Sequence, residues 1–201
     1  MKLIKKITKN IMIGEFLRAE IDSPRFSKRI KKALKRDKKT KEIIIKPNFD
    51  IVKDNKYRKK LLGEVRGYPN ERIFHNFPTD IKWELVFLNE KELKKIKYIN
   101  WDYWNKITKN SRKPEDAVKN IKSGVKIKKA DWENFDEIVK VIKINKKIPL
   151  IILVAKNKRA RKVVLEGHAR LTAYLYEPRL IKKGLNVIIG YSDKISNWNL
   201  Y

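Results

Sequence analysis

The chain has no cysteine and only two histidines. Disulfides, thiolate nucleophiles and cysteine metal ligands are therefore excluded. His75 has no second His, Cys or carboxylate at ligand spacing and reads as structural. No apolar run approaches the roughly 18 residues that span a bilayer. The opening stretch MKLIKKITKNIMIG is basic, but lysines break its apolar run and no clear small-residue cleavage site follows. It does not read as a signal peptide, and a cytoplasmic location is expected. Glycine and proline are scarce, at seven each, and no repeats or long Gly/Ser/Pro linkers occur. The phosphate loop Gly-x-x-x-x-Gly-Lys-Ser/Thr and the dinucleotide fingerprint Gly-x-Gly-x-x-Gly are missing too, as is a nucleophile paired with a base.

Acidic residues are also few: 23 against 51 lysines and arginines, for a formal charge of +28. A field of that sign attracts phosphate polymers, anionic membranes or small anions, without selecting among them. With 42% hydrophobic residues over 201 positions, the chain can still bury a sizeable core.

The most informative stretch is Pro149 to Ser192. Apolar runs at Leu150–Ala155, Val163–Leu165 and Val187–Ile189 read as buried strands, the first two joined by a basic hairpin turn. After the second comes Glu166-Gly167-His168-Ala169-Arg170, then an amphipathic segment to Tyr176 that reads as a helix. Gly167 falls at the strand-to-helix turn, where a residue without Cβ lets a ligand approach the backbone. The free N–H groups of the first helical turn, at Gly167 to Ala169, favour an anion. Arg170, about one turn in, can fork onto a phosphate oxygen. The turn reads as a phosphate cradle.

VLEGHARLTAY resembles the phosphate-binding signature of the ParB/sulfiredoxin superfamily: an acidic or polar residue, then Gly-x-x-Arg, between a strand and a helix. Residues Trp83 to Ser192 can be laid on such a domain. The resemblance implies an α+β fold with a ParB/sulfiredoxin-like mixed sheet and flanking helices over 81–201. A basic, mainly helical extension over 1–80 precedes it, with the boundary near Phe77 to Lys82. It also implies a bound nucleotide (ATP, ADP or CTP, with Mg²⁺ as its possible companion), held by Gly167, His168, Ala169 and Arg170. By the same resemblance Ser111 and Arg112, in the loop ahead of a helix, join the nucleotide site. Sulfiredoxin repair is excluded, because it needs a cysteine where this chain has His168. Similarity to the free serine kinase branch makes Glu166 a proton acceptor or Mg²⁺ ligand and His168 a support for the transferring phosphate. The alternatives are a non-catalytic DNA-binding accessory module and, last, a ParB-like nuclease.

The remaining elements follow from spacing. A basic helix is expected from Pro24, with Ser23 as its cap and Phe26, Ile30, Ala33 and Leu34 on one face. Its Lys28, Lys31, Lys32, Lys35 and Arg36, with Lys158, Arg159 and Arg161 of the hairpin turn, are the candidate nucleic-acid contacts. Glu42 to Lys46 reads as a strand. Lys53 to Val65 reads as a helix with Leu61 and Leu62 inward, Arg58 on its flank and Gly67 as its terminal cap. Trp83 to Leu88 reads as a strand, Asn89 to Lys95 as a charged helix or turn, and Tyr98 to Trp104 as core aromatics. Helices are expected over Asn110–Gly124, capped by Asn110 or Ser111, and over Trp132–Lys143.

Overall fold

Five strands, drawn from both ends of the chain, make one mixed sheet. The computed structural model describes residues 1–125, 135–144 and 147–201. Strands β1 (Lys2–Ile7), β2 (Lys82–Leu88), β3 (Ile151–Ala155), β4 (Val163–Glu166) and β5 (Leu185–Tyr191) run in the order β1-β2-β5-β3-β4. Of these strand pairs, among the described residues, only β3–β5 is parallel. All five residues of β3, IILVA, are buried, as expected of a strand covered on both faces. The architecture is α+β with a mixed sheet and flanking helices.

The first eighty residues are mostly helical, and they also supply β1. This edge strand, for which no element is expected from spacing, pairs with β2 across the expected boundary. Its exposed Lys2, Lys5 and Lys6, and a register shift between Leu3 and Lys5, discourage further pairing at that edge. Helix α1 (Lys9–Glu20) follows and buries Met12, Ile13, Phe16 and Leu17. Next come α2 (Ser27–Arg36), α3 (Glu42–Ile45) and α4 (Val52–Arg66), with α4 packed on both α1 and α2. The buried side chains of the front helices and of the sheet form one cluster. Ring pairs join the two: Phe74 meets Phe16, Tyr68 and Phe77, and Phe77 meets Trp198 edge-on at 5.2 Å. Trp198 also donates Nε1–H to the Ile73 carbonyl at 2.7 Å.

Beyond β2 the chain forms α5 (Glu90–Leu93), α6 (Asp102–Ile107), α7 (Pro114–Lys122) and α8 (Phe135–Ile144). Helix α9 (His168–Tyr176) connects β4 toward β5. A capping box starts α5, with Asn89 and Glu92 each satisfying the other's backbone N–H. Pro114 occupies the first turn of α7, and Glu115 and Asp116 complement its positive end.

Several expectations need correction. Helix α2 begins at Ser27, not Pro24, because residues 23–26 close a turn in which Phe26 and Ser27 both donate to the Ser23 carbonyl. Residues 42–45 are a short helix rather than a strand: the Ile44 and Ile45 N–H groups bond back to the Lys41 carbonyl. Arg58 is not on a flank. It is 1% exposed and donates to the carbonyls of Ile43 and Asn48 and to Asn55 Oδ1, beneath the Phe49 ring. Neither Asn110 nor Ser111 caps α7, whose N-cap is Lys113. Residues 132–134, expected to open α8, lie outside the described residues. Among the described residues no helix is long and apolar enough to cross a membrane.

Candidate functional site

Between β4 and α9, Gly167 adopts φ +97° and serves as the N-cap of α9. A Cβ there would be strained, and it would meet Arg170 Nη2 at 3.0 Å and the Ile151 Cα at 3.3 Å. The first N–H groups of α9 have no partner within the helix. Arg170 folds back over this turn: its Nη2 is ion-paired with Glu166 and lies 3.4 Å from the Leu150 carbonyl. Glu166, Gly167, His168, Ala169 and Arg170, the predicted cradle, all line one cleft of about 1060 Å³. The helical front closes the cleft with the end of α1, residues 22–29 and the end of α4.

The cleft selects arginine. The sequence holds twelve arginines against thirty-nine lysines. Among the described residues, Arg18, Arg25, Arg29, Arg66, Arg72 and Arg170 line the cleft, and no lysine does. Guanidinium groups present a rigid donor fork suited to phosphate and carboxylate, where lysine offers a strongly hydrated point charge. Arg66 is the most enclosed of the front set. It reaches Glu20 at 3.4 Å and lies over the rings of Phe26, at 4.4 Å, and Phe16, at 5.6 Å. The Nε atoms of Arg66 and Arg170 are buried without a hydrogen-bond partner, as is His168 Nε2.

Two carboxylates belong to the same field. Glu20, 2% exposed, was not anticipated from sequence. Burial pushes its carboxyl up to about 7; the charge of Glu166 adds to the rise, and Arg66 and Arg25 oppose it. His168 is held well below its usual range, first by burial and then by the charges of Arg25, Arg66 and Arg170. As a residue His168 is only half-buried, but its Nε2 is sealed from solvent. The ring stacks on Trp104 at 5.1 Å and 13°, and burial together with the nearby arginines favours the neutral imidazole.

Ser111 and Arg112 do not join the cleft. Arg112 spends its guanidinium on the carbonyls of Tyr98, Leu200 and Tyr201. Ser111 Oγ accepts the Lys113 N–H at 3.1 Å, and its carbonyl accepts Lys97 Nζ. Glu20 and Glu166 are each committed to an arginine. Among the described residues no group of three or more His, Asp or Glu side chains could hold a metal.

The predicted nucleic-acid residues are exposed but unequal. Lys28, Lys31, Lys32 and Lys35 line the outer side of α2, and none is in an ion pair among the described residues. Arg36 is engaged by both Asp37 and Glu64. On the β3–β4 hairpin, Lys158 approaches Glu84 at 3.9 Å, and Arg161 lies over the Tyr201 ring while Arg159 is exposed.

Sequence reasoning missed Glu20, Arg18, Arg25, Arg29, Arg66, Arg72 and Trp101. One signal was present: three arginines fall within residues 18–29 of a lysine-dominated chain. No family model matches this sequence, and neither does any curated protein or solved structure.

Proposed function

We propose that the cleft binds the phosphate groups of a small phosphorylated ligand, a nucleotide such as ATP, ADP or CTP, and is equipped for phosphoryl transfer. The observation that carries this reading is the segregation of arginine into the cleft and of lysine away from it. The turn at Gly167 supplies backbone N–H groups, and Arg170, Arg66 and Arg29 supply guanidinium donors. Glu20 is the group suited to turnover, because a carboxylate titrating near 7 can take a proton at neutral pH. In the step proposed, an acceptor hydroxyl gives its proton to Glu20 as its oxygen bonds to the terminal phosphorus. The bridging P–O bond breaks, and the nucleotide shortened by one phosphate (a diphosphate from ATP or CTP, a monophosphate from ADP) leaves with the electron pair.

The cleanest binding test is Arg29→Ala. Arg29 is exposed and enters no ion pair among the described residues, so its loss should leave the melting temperature unchanged. Nucleotide binding is expected to weaken by roughly 1.5–3 kcal/mol, the scale of a hydrogen bond to a charged group. Calorimetric titration of wild type and variant checks this, and equal affinities would remove the reading. Arg170→Ala would also weaken binding but leaves Glu166 unpaired, mixing two effects. For turnover, Glu20→Gln should end release of the shortened nucleotide, a diphosphate from ATP or CTP or a monophosphate from ADP, while nucleotide binding persists.

A second reading, a nucleic-acid accessory module, is favoured by the four lysines of α2 that enter no ion pair among the described residues. Replacing Lys28, Lys31, Lys32 and Lys35 with Gln is expected to flatten the plot of log affinity for duplex DNA against log salt. Each phosphate that a lysine no longer neutralises should take roughly 0.9 off the slope. Fluorescence anisotropy over a salt series measures it, and an unaltered slope would move DNA binding to the β3–β4 hairpin.

A further inference from the structure

The phosphate reading accounts for the arginines of the cleft and not for its aromatic lining. Trp101 lines it too and is 50% exposed, whereas Trp83, Trp104 and Trp198 are 5%, 6% and 2% exposed. Tryptophan is normally well buried, and an indole face left open in a cleft is unfavourable in water unless something covers it. Trp101 is the N-cap of α6, with an extended backbone at φ −131° and ψ 139°, and Trp104 within that helix lines the same cleft. Trp104 in turn stacks on His168, which directly follows Gly167. The open indole and the Gly167 turn thus line one cleft. Its neighbours in the cleft include Ile99 and, from α8, Ile138 and Val141; the last is itself 55% exposed.

The cleft is thus lined by arginines and also by an open indole with apolar neighbours. We infer that Trp101 is the platform on which the base of a bound nucleotide stacks, so that the ligand is a nucleotide rather than a sugar phosphate or an inorganic polyphosphate. The inference rests on the phosphate-binding reading above. Stacking on an indole is tolerant of base identity because every base has a π-face. The platform therefore defines the class of ligand and leaves the choice among bases to other groups.

The experiment titrates wild type, Trp101→Ala and Trp101→Phe with ATP, CTP and tripolyphosphate in the absence of divalent metal. Melting temperatures establish that the variants fold. Trp101→Ala is expected to weaken ATP and CTP binding roughly tenfold or more, the scale of one base stack removed, and to leave tripolyphosphate binding unchanged. Trp101→Phe is expected to restore most of the nucleotide affinity. The proposal is overturned if Trp101→Ala binds ATP and CTP as wild type does. It is equally overturned if the variant loses nucleotide and tripolyphosphate affinity in parallel, which would make Trp101 a determinant of cleft shape alone. Should wild type bind tripolyphosphate but show no Trp101 effect, the phosphate reading survives without the platform. Should wild type bind none of the three ligands, the phosphate reading falls first and the platform falls with it.

Discussion

Arg58→Ala is expected to lower the unfolding free energy by about 3–5 kcal/mol, because it removes a buried donor set with no substitute. Arg58 bonds to the Ile43 carbonyl at 3.0 Å, the Asn48 carbonyl at 2.9 Å and Asn55 Oδ1 at 2.5 Å. Those bonds tie α3 and the segment after it to α4. The variant leaves these acceptors short of a donor, at roughly 1–3 kcal/mol for each buried group orphaned. It also leaves a void beneath Phe49. Denaturant unfolding measures the change as a lower midpoint at constant slope. Arg58 does not line the cleft, so nucleotide affinity of the folded variant should not move. A loss under about 1 kcal/mol would mean that water replaces the guanidinium in full.

Arg66→Ala is expected to combine a stability loss with a loss of binding, and its stability loss should depend on pH. In the wild type Glu20 titrates near 7, above its ordinary value of 4.5. A carboxyl raised in the folded state contributes stability that is complete below about pH 4.5 and is lost as pH rises through about 7. The loss amounts to about 3 kcal/mol for such a shift, and Glu20→Gln should remove it. Without Arg66 the Glu20 carboxyl rises further, and the decline continues to higher pH. At pH 8 the electrostatic part of the variant's deficit is about 1.4 kcal/mol, one unit beyond the wild-type titration. At pH 5 Glu20 is protonated in both proteins, and only the missing packing against Phe16 and Phe26 remains, at about 2 kcal/mol. Unfolding of wild type and variant at pH 5 and pH 8 checks this, and a deficit that grows toward low pH would reverse the assignment. Nucleotide binding should fall by at least the roughly 1.5–3 kcal/mol expected for Arg29.

The hairpin and the Gly167 turn were legible because each local signal agrees with the fold. Dense β-branched runs form β3 and β4, turn residues separate them, and Gly167 sits where φ must be positive. Elsewhere the local signal lost to tertiary contacts. The Ile43-Ile44-Ile45 run favours a strand by composition, yet it forms a helical turn that buries Ile44 and offers the Ile43 carbonyl to Arg58. Arg58 itself shares a stripe with Leu61, Leu62 and Val65, all buried, so spacing pointed inward while residue type pointed outward. Glu20 and Arg66 lie far from Glu166 in sequence, and no local pattern can announce that pairing. Arg112 shows the reverse: a residue implied by resemblance is consumed in bracing backbone carbonyls.

The strand order has a bearing on how the molecule assembles as it is synthesised. β1 and β2 can join once residue 88 is available, and β3 with β4 once residue 166 is. These are two separate ribbons, and an isolated pair of strands is marginal in water. β5 lies between them, antiparallel to β2 on one side and parallel to β3 on the other. The last strand made is thus the middle of the sheet, and until it arrives both ribbons carry an unpaired inner edge. Lysines guard β1, but β3 is apolar throughout. The interval between translation of residues 166 and 191 is therefore when this chain is most exposed to pairing with a neighbour, even though its finished outer edge is well defended.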